Sequence, residues 1–145
     1  MLGIRDADSA EHGTASENLF IVPVACPVTN RPEGAPKLWG KGKIRLLTDS
    51  RVFGIYRHEE VEEQYFCNYE LNPQYRARLE AAGLRVAGVG ENSEVRAVEL
   101  SGHSFFIATL YQPPLISSAE RPHPLIVAYL EAARENQIRT ADERR

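Results

Sequence analysis

Few side chains in this sequence could carry chemistry, and each has a plainer reading beside the reactive one. Cys67 lies in Gln64-Tyr65-Phe66-Cys67-Asn68-Tyr69, on the same strand-like run as Glu63. A thiol there could act as a nucleophile if a base drew off its proton. The plainer expectation is a small buried hydrophobe. Gln112, in Tyr111-Gln112-Pro113-Pro114, offers an amide that can bond a ligand carboxylate or amide but cannot accept a proton at neutral pH. Tyr111 is expected to pack or to line a cleft rather than react. His103 stands before a strand and His123 before the helix-opening Pro124, so both are expected to be structural. His12 and His58 sit in polar segments without an evident partner. Glu59-Glu60 and Glu62-Glu63 could hold a cation, but a solvated strand edge is the expectation. Cys26 and Cys67 lack the spacing of a metal site, and no cofactor is expected. Trp39, between Leu38 and Gly40, reads as a loop anchor.

The elements that must position these groups follow from periodicity. Phe105 to Leu110 is apolar except for Thr109 and is closed by Pro113-Pro114, which predicts a buried strand. At the carboxyl end of such a strand side chains reach a crevice, and Tyr111 and Gln112 stand there. Glu60 to Leu71 alternates, with Val61, Glu63, Tyr65, Cys67, Tyr69 and Leu71 on one face, which predicts one continuous strand. Leu19 to Cys26, with an internal proline at Pro23, and Lys41 to Leu47 also read as strands. Leu84 to Val89 and Glu94 to Leu100 flank Gly90-Glu91-Asn92-Ser93, a hairpin signal. Asp49 to Tyr56 suits a short helix capped by Asp49 or Ser50. Asn72-Pro73 opens a helix over 74–82 closed by Gly83. Pro124 to Asn136 predicts an amphipathic helix with Leu125, Ile126, Tyr129, Leu130 and Ala133 inward. Residues 4–18 read as a polar loop with a helical turn, and Thr29 to Pro36 as an exposed loop.

Composition narrows the classes. At 145 residues, with 43% hydrophobic and 26% charged residues, the chain reads as one soluble domain. A net charge of -3 without a basic face argues against nucleic acid. No apolar run is long enough to span a membrane, and Met1 to Asp6 lacks the pattern of a signal peptide. Reduced thiols in a cytoplasmic protein are therefore expected.

The order of these pieces resembles the C-terminal half of the glutaminase domain of CTP synthase, a class I glutamine amidotransferase. The resemblance is carried by Leu2 to Glu11, by Tyr69-Glu70-Leu71-Asn72 with Leu79 to Gly88 after it, by His103 to Pro114, and by His123-Pro124-Leu125. A narrower resemblance, at Tyr65-Phe66-Cys67-Asn68-Tyr69 and Thr109 to Pro113, is to stand-alone bacterial proteins related to the CTP synthase C-terminal region, some of them selenoproteins. The fold implied is α/β: a partial, flavodoxin-type class I amidotransferase domain over residues 1–137, its N-terminal half missing. A mixed sheet with an antiparallel strand pair is expected, followed by a charged tail at 138–145.

In this family of pyrimidine-nucleotide and glutamine chemistry a cysteine on a strand-to-helix elbow attacks the glutamine amide, activated by a histidine that a glutamate holds. The resemblance sets the family's His-Pro-Glu run on Gln112-Pro113-Pro114, and places its elbow upstream of Met1. The basic run before Tyr-Glu-Val-Asn appears as Gln64 to Asn68 without its charges. These departures imply a chain without ordinary glutamine hydrolysis and without a confident catalytic residue. It would then be a ligand-binding or regulatory remnant, with Cys67, Asn68, Tyr69, Tyr111 and Gln112 lining the old cleft. A small amino-acid-like ligand, no nucleic acid, no membrane, and a homo-oligomer closing the open sheet are the partners implied. The alternative is that Met1 is a late start, and that the longer protein runs a different thiol or selenol chemistry from an upstream elbow residue.

Overall fold

The structure is a computed structural model and describes residues 2–13 and 16–142. Strands β1 (Ala7–Ser9), β2 (Asn18–Pro23) and β5 (Tyr69–Leu71) form a small mixed sheet in the order β1-β2-β5, with β1 parallel and β5 antiparallel to β2. Strands β3 (Leu38–Leu46), β4 (Glu60–Cys67), β6 (Leu84–Val89), β7 (Val95–Leu100) and β8 (Ile107–Thr109) form a five-stranded antiparallel sheet in the order β4-β3-β6-β7-β8. Helices α1 (Arg51–Tyr56), α2 (Arg76–Ala81) and α3 (Pro124–Asp142) complete the α/β architecture.

Local chemistry explains the well-formed pieces. In β3, Ile44 and Leu46 point inward while Lys41, Lys43 and Arg45 stay in solvent, and Lys41 and Lys43 meet Glu62 and Glu60 across the ladder to β4. Ser50 caps α1 by taking the Phe53 N–H at 3.0 Å, and Val52 fills the core beneath it. The 90–94 turn closes on a Gly90 N–H to Glu94 carbonyl bond, with Ser93 at a positive φ of 67°. Ile44, Leu46, Val52, Ala87, Ala97, Tyr111 and Leu125 make one buried cluster.

Several expectations need correction. The run 105–110 is not a fully buried strand. Only Ile107–Thr109 pairs, β8 lies at the sheet's edge, and Phe106 is 42% exposed. Phe105 leaves the ladder to stack edge-on with Tyr129 of α3. The strand expected over 60–71 breaks at Asn68, whose carbonyl accepts the Val24 N–H and whose side chain accepts the Lys37 N–H. These bonds turn the chain out of one sheet and into the other, where Glu70 pairs with Val22. Trp39 sits inside β3, not in a loop, opposite Phe66 of β4. Residues 4–18 contain β1 and a helical turn at Ala10–His12, and Thr14 and Ala15 lie outside the described residues. Helix α3 runs past Asn136 to Asp142, packs against α1 and the 113–116 turn, and leaves Tyr129 and Leu130 facing outward at 57% and 60% exposure. Residues 143–145 lie outside the described residues.

The segment leaving β8 joins the sheet's two ends. The Leu110 N–H bonds the Arg96 carbonyl of β7, and the Gln112 N–H bonds the Gln64 carbonyl on the free edge of β4. Residues 110–112 therefore bridge outermost strands that the ladder leaves unconnected.

Candidate functional site

The bridge brings Gln112 to the end of β4, beside Cys67 and Asn68. Its Nε2 donates to the Phe66 carbonyl at 2.9 Å. Cys67, half-buried, gives its thiol proton to the Tyr69 carbonyl at 3.3 Å, a partner that holds a proton rather than removing one. Asn68 is committed to Lys37 through Oδ1, and Tyr69 is half-buried in β5 opposite Pro23. Pro114 is exposed in the helical turn Pro113–Ile116. The end of β4 thus gathers Cys67, Asn68, Tyr69 and Gln112, but among the described residues none of them bonds a histidine or a carboxylate.

Tyr111 goes elsewhere. It is 1% exposed, belongs to the core, and does not face a crevice, because the 110–112 bridge turns it under the sheet. There it joins Tyr56, Glu63 and His123 in a buried polar cluster. Tyr56 donates its hydroxyl proton to Glu63 Oε1 at 2.6 Å. His123 Nε2 lies 3.0 and 3.2 Å from the two oxygens of Glu63 and 3.2 Å from the Tyr56 hydroxyl. The Tyr56 and Tyr111 hydroxyls are 3.3 Å apart. Glu63 and His123 are 2% and 3% exposed.

Hydrogen-bond bookkeeping fixes the protons. His123 is the N-cap of α3: its carbonyl accepts the first helical N–H groups and its Nδ1 accepts the Leu125 N–H at 3.2 Å. Nδ1 is therefore unprotonated and Nε2–H faces Glu63. With its own proton given to Glu63, Tyr56 is left to accept from Tyr111. Burial pushes the hydroxyls of Tyr56 and Tyr111 well above the usual tyrosine range, and the Glu63 charge adds to both shifts. Both imidazole nitrogens are committed, so His123 has no lone pair for a substrate proton. Chemically the cluster is a clasp tying α1, β4, the β8 exit and the start of α3. It forms the floor of a cleft of about 520 Å³ whose rim carries His58 and Arg121.

Sequence reasoning passed over Tyr56 and treated Glu63 as part of a solvated acidic edge. Glu60 and Glu62 are on that edge; Glu63 is not, because it points to the buried side with Val61 and Tyr65. The period-two pattern already set Glu63 on that face, which was the available signal. Among the described residues no group of acidic, histidine or cysteine side chains could hold a metal ion.

No family model matches the chain. CTP synthase of Bacteroides thetaiotaomicron is 34% identical over 140 residues, which is 94% of this chain and 26% of that protein. CTP synthase of Brucella ovis is 33% identical over 144 residues, 93% of this chain and 27% of that protein. The chain therefore spans about a quarter of the curated relatives it matches. Among solved structures, the glutaminase domain of Trypanosoma brucei CTPS with bound acivicin superposes with a TM-score of 0.81 at 26% identity, over 92% of this chain and 53% of that one. A GMP synthase component from Thermoplasma acidophilum shares the fold, with a TM-score of 0.56 at 14% identity over 83% of this chain and 51% of that one.

Proposed function

Because this chain is a homologue of the CTP synthase glutaminase domain, with a class I amidotransferase fold, we propose that it is a non-hydrolytic version of that domain. It binds a small amino-acid-like ligand and does not cleave glutamine. The observation that carries this reading is Gln112. Where the resemblance sets the catalytic base, the chain has an amide whose Nε2 is tied to the Phe66 carbonyl. An amide cannot take a proton at neutral pH. Pro114, at the position set for the orienting carboxylate, has none to offer. Cys67 adds no substitute, since its proton rests on a carbonyl. The free thiols Cys26 and Cys67 fit a reducing compartment such as the cytoplasm. No helix among the described residues is long and apolar enough to cross a membrane.

Titration calorimetry with L-glutamine, run beside an assay for released glutamate, tests the reading. The expected result is heat of binding without glutamate. Steady glutamate release that survives repurification overturns it.

A further inference from the structure

Strand β3 pairs with β4 from Leu38 to Arg45, but with β6 only at Arg45 and Leu46. The two ladders use alternate residues of β3. The Leu46 N–H bonds the Glu59 carbonyl on the β4 side, and the Leu47 N–H bonds the Ala87 carbonyl on the β6 side. Gly42 and Ile44 therefore turn their backbone polar groups to β4, while Lys41 and Lys43 turn theirs away from it. The β6 ladder stops at Arg45–Val89 because Gly90 begins the 90–94 turn, whose own bond runs from the Gly90 N–H to the Glu94 carbonyl. At the other end the Val28 N–H donates to the Lys37 carbonyl at 2.8 Å. Between these two points the backbone N–H and C=O groups of Lys41 and Lys43 meet no partner among the described residues. They face a cleft of about 360 Å³, with Val28 at one end, Gly90 at the other and Lys41, Gly42 and Lys43 along its side.

A row of unpaired backbone groups, closed at both ends, is a template for one extended chain. We propose that this gap takes a short acidic peptide of a partner protein, added to β3 as an antiparallel strand in line with β6. Lys41 and Lys43 each exchange two hydrogen bonds with the peptide residue opposite, four in all. Side chains of a strand alternate between its faces. Those opposite Lys41 and Lys43 lie with the lysines on the solvent face of the sheet, where aspartate or glutamate suits them. The lysines are engaged there only in exposed pairs, with Glu62 at 2.9 Å and Glu60 at 2.8 Å, both on the β4 side. The peptide residue between them points to the opposite face, beside Gly42 and Tyr65, which line the same cleft. A second copy of this chain fits less well. Strand β3 paired antiparallel with itself across the gap sets lysine opposite lysine, and the 26–29 loop and 90–94 turn leave room for a single chain rather than a sheet. The site is independent of the amino-acid-like ligand proposed above.

The test is amide NMR of the whole chain titrated with the blocked peptide acetyl-Thr-Glu-Thr-Glu-Thr-amide, with hydrogen exchange read at each backbone N–H. Without peptide, the Lys41 and Lys43 amides should exchange much faster than those of Gly42 and Ile44. With it they should shift and slow. The same peptide N-methylated at both glutamates cannot donate to the Lys41 and Lys43 carbonyls, so it should bind at least about ten-fold more weakly, the worth of two hydrogen bonds. Replacing its glutamates by lysines should also weaken it, and Lys41→Gln should cost the glutamate peptide about two- to five-fold, the worth of one exposed ion pair. Equal binding of the N-methylated peptide overturns the proposal, as do the absence of binding and shifts confined to the β8 edge at 107–109 or to Gln64. Lys41 and Lys43 amides already protected without peptide, in a chain that sediments as a dimer, assign the edge to a second copy and overturn it as well.

Discussion

Replacing Glu63 by alanine should be among the most damaging single changes to this fold. Glu63 is 2% exposed and accepts from Tyr56 at 2.6 Å and from His123 Nε2 at 3.0 Å. Without it two buried donors lose their acceptor, at about 1–3 kcal/mol each. Tyr56 can recover part by turning its proton toward the Tyr111 oxygen 3.3 Å away. His123 Nε2–H can then turn to the Tyr56 oxygen 3.2 Å away, but Tyr111 loses the acceptor of its own proton, so one buried donor stays unpaired however the protons rearrange. The side-chain void adds to the loss, giving about 3–5 kcal/mol in total. For a chain of this size that is a fall in Tm of about 10–15 °C. Urea unfolding at pH 7, read from the fluorescence of the single tryptophan, Trp39, measures it directly. Adding Tyr56→Phe removes one of the orphaned donors, so the double variant should lose at least about 1 kcal/mol less than the sum of the single losses. A Glu63→Ala loss under about 1 kcal/mol would refute the clasp, as would strict additivity.

Alkaline pH should unfold the chain cooperatively. Tyr56, Tyr65 and Tyr111 all have hydroxyls raised in the folded state, chiefly by burial. Their contribution is fully present below the unfolded value near 10 and is lost as pH rises toward the folded values. Each then costs about 1.4 kcal/mol per pH unit above pH 10. Unfolding midpoints measured from pH 7 to 11.5 should stay flat and then fall, and Tyr65→Phe should lessen the slope; a flat profile above pH 10 contradicts the burial argument. Gly42→Ala should push the Tyr65 ring by its contact at 2.7 Å, costing about 1–3 kcal/mol in the urea midpoint. Unchanged stability in that variant would mean that the ring is not held where the structure puts it.

What could be read from the sequence was what local rules determine. The Ser50 cap, the turn at 90–94 and the alternation of Ile44 and Leu46 with lysines each depend on a few neighbouring residues, and each is present. The break at Asn68 depends on Val24 and Lys37, more than thirty residues distant. Nothing local marks it. Phe105 to Leu110 misled because apolar content does not say which neighbour will do the burying: α3 takes Phe105, the ladder takes Ile107–Thr109, and Phe106 is left outside. His123 and Glu63 looked ordinary for the same reason. A histidine before a helix-opening proline and a glutamate within an acidic run acquire their roles only when β4 and α3 meet. Gln112 was legible as a position without a base. Its bond to the Phe66 carbonyl, which joins the outermost strands, was not.

The central claim is that an amide stands where proton transfer would be required. Its most direct measurement is NMR of glutamine labelled with ¹⁵N in the side-chain amide, incubated with stoichiometric protein. We predict that the label stays in the amide, with no ammonium above the protein-free control. Label appearing as ammonium in proportion to protein would contradict it.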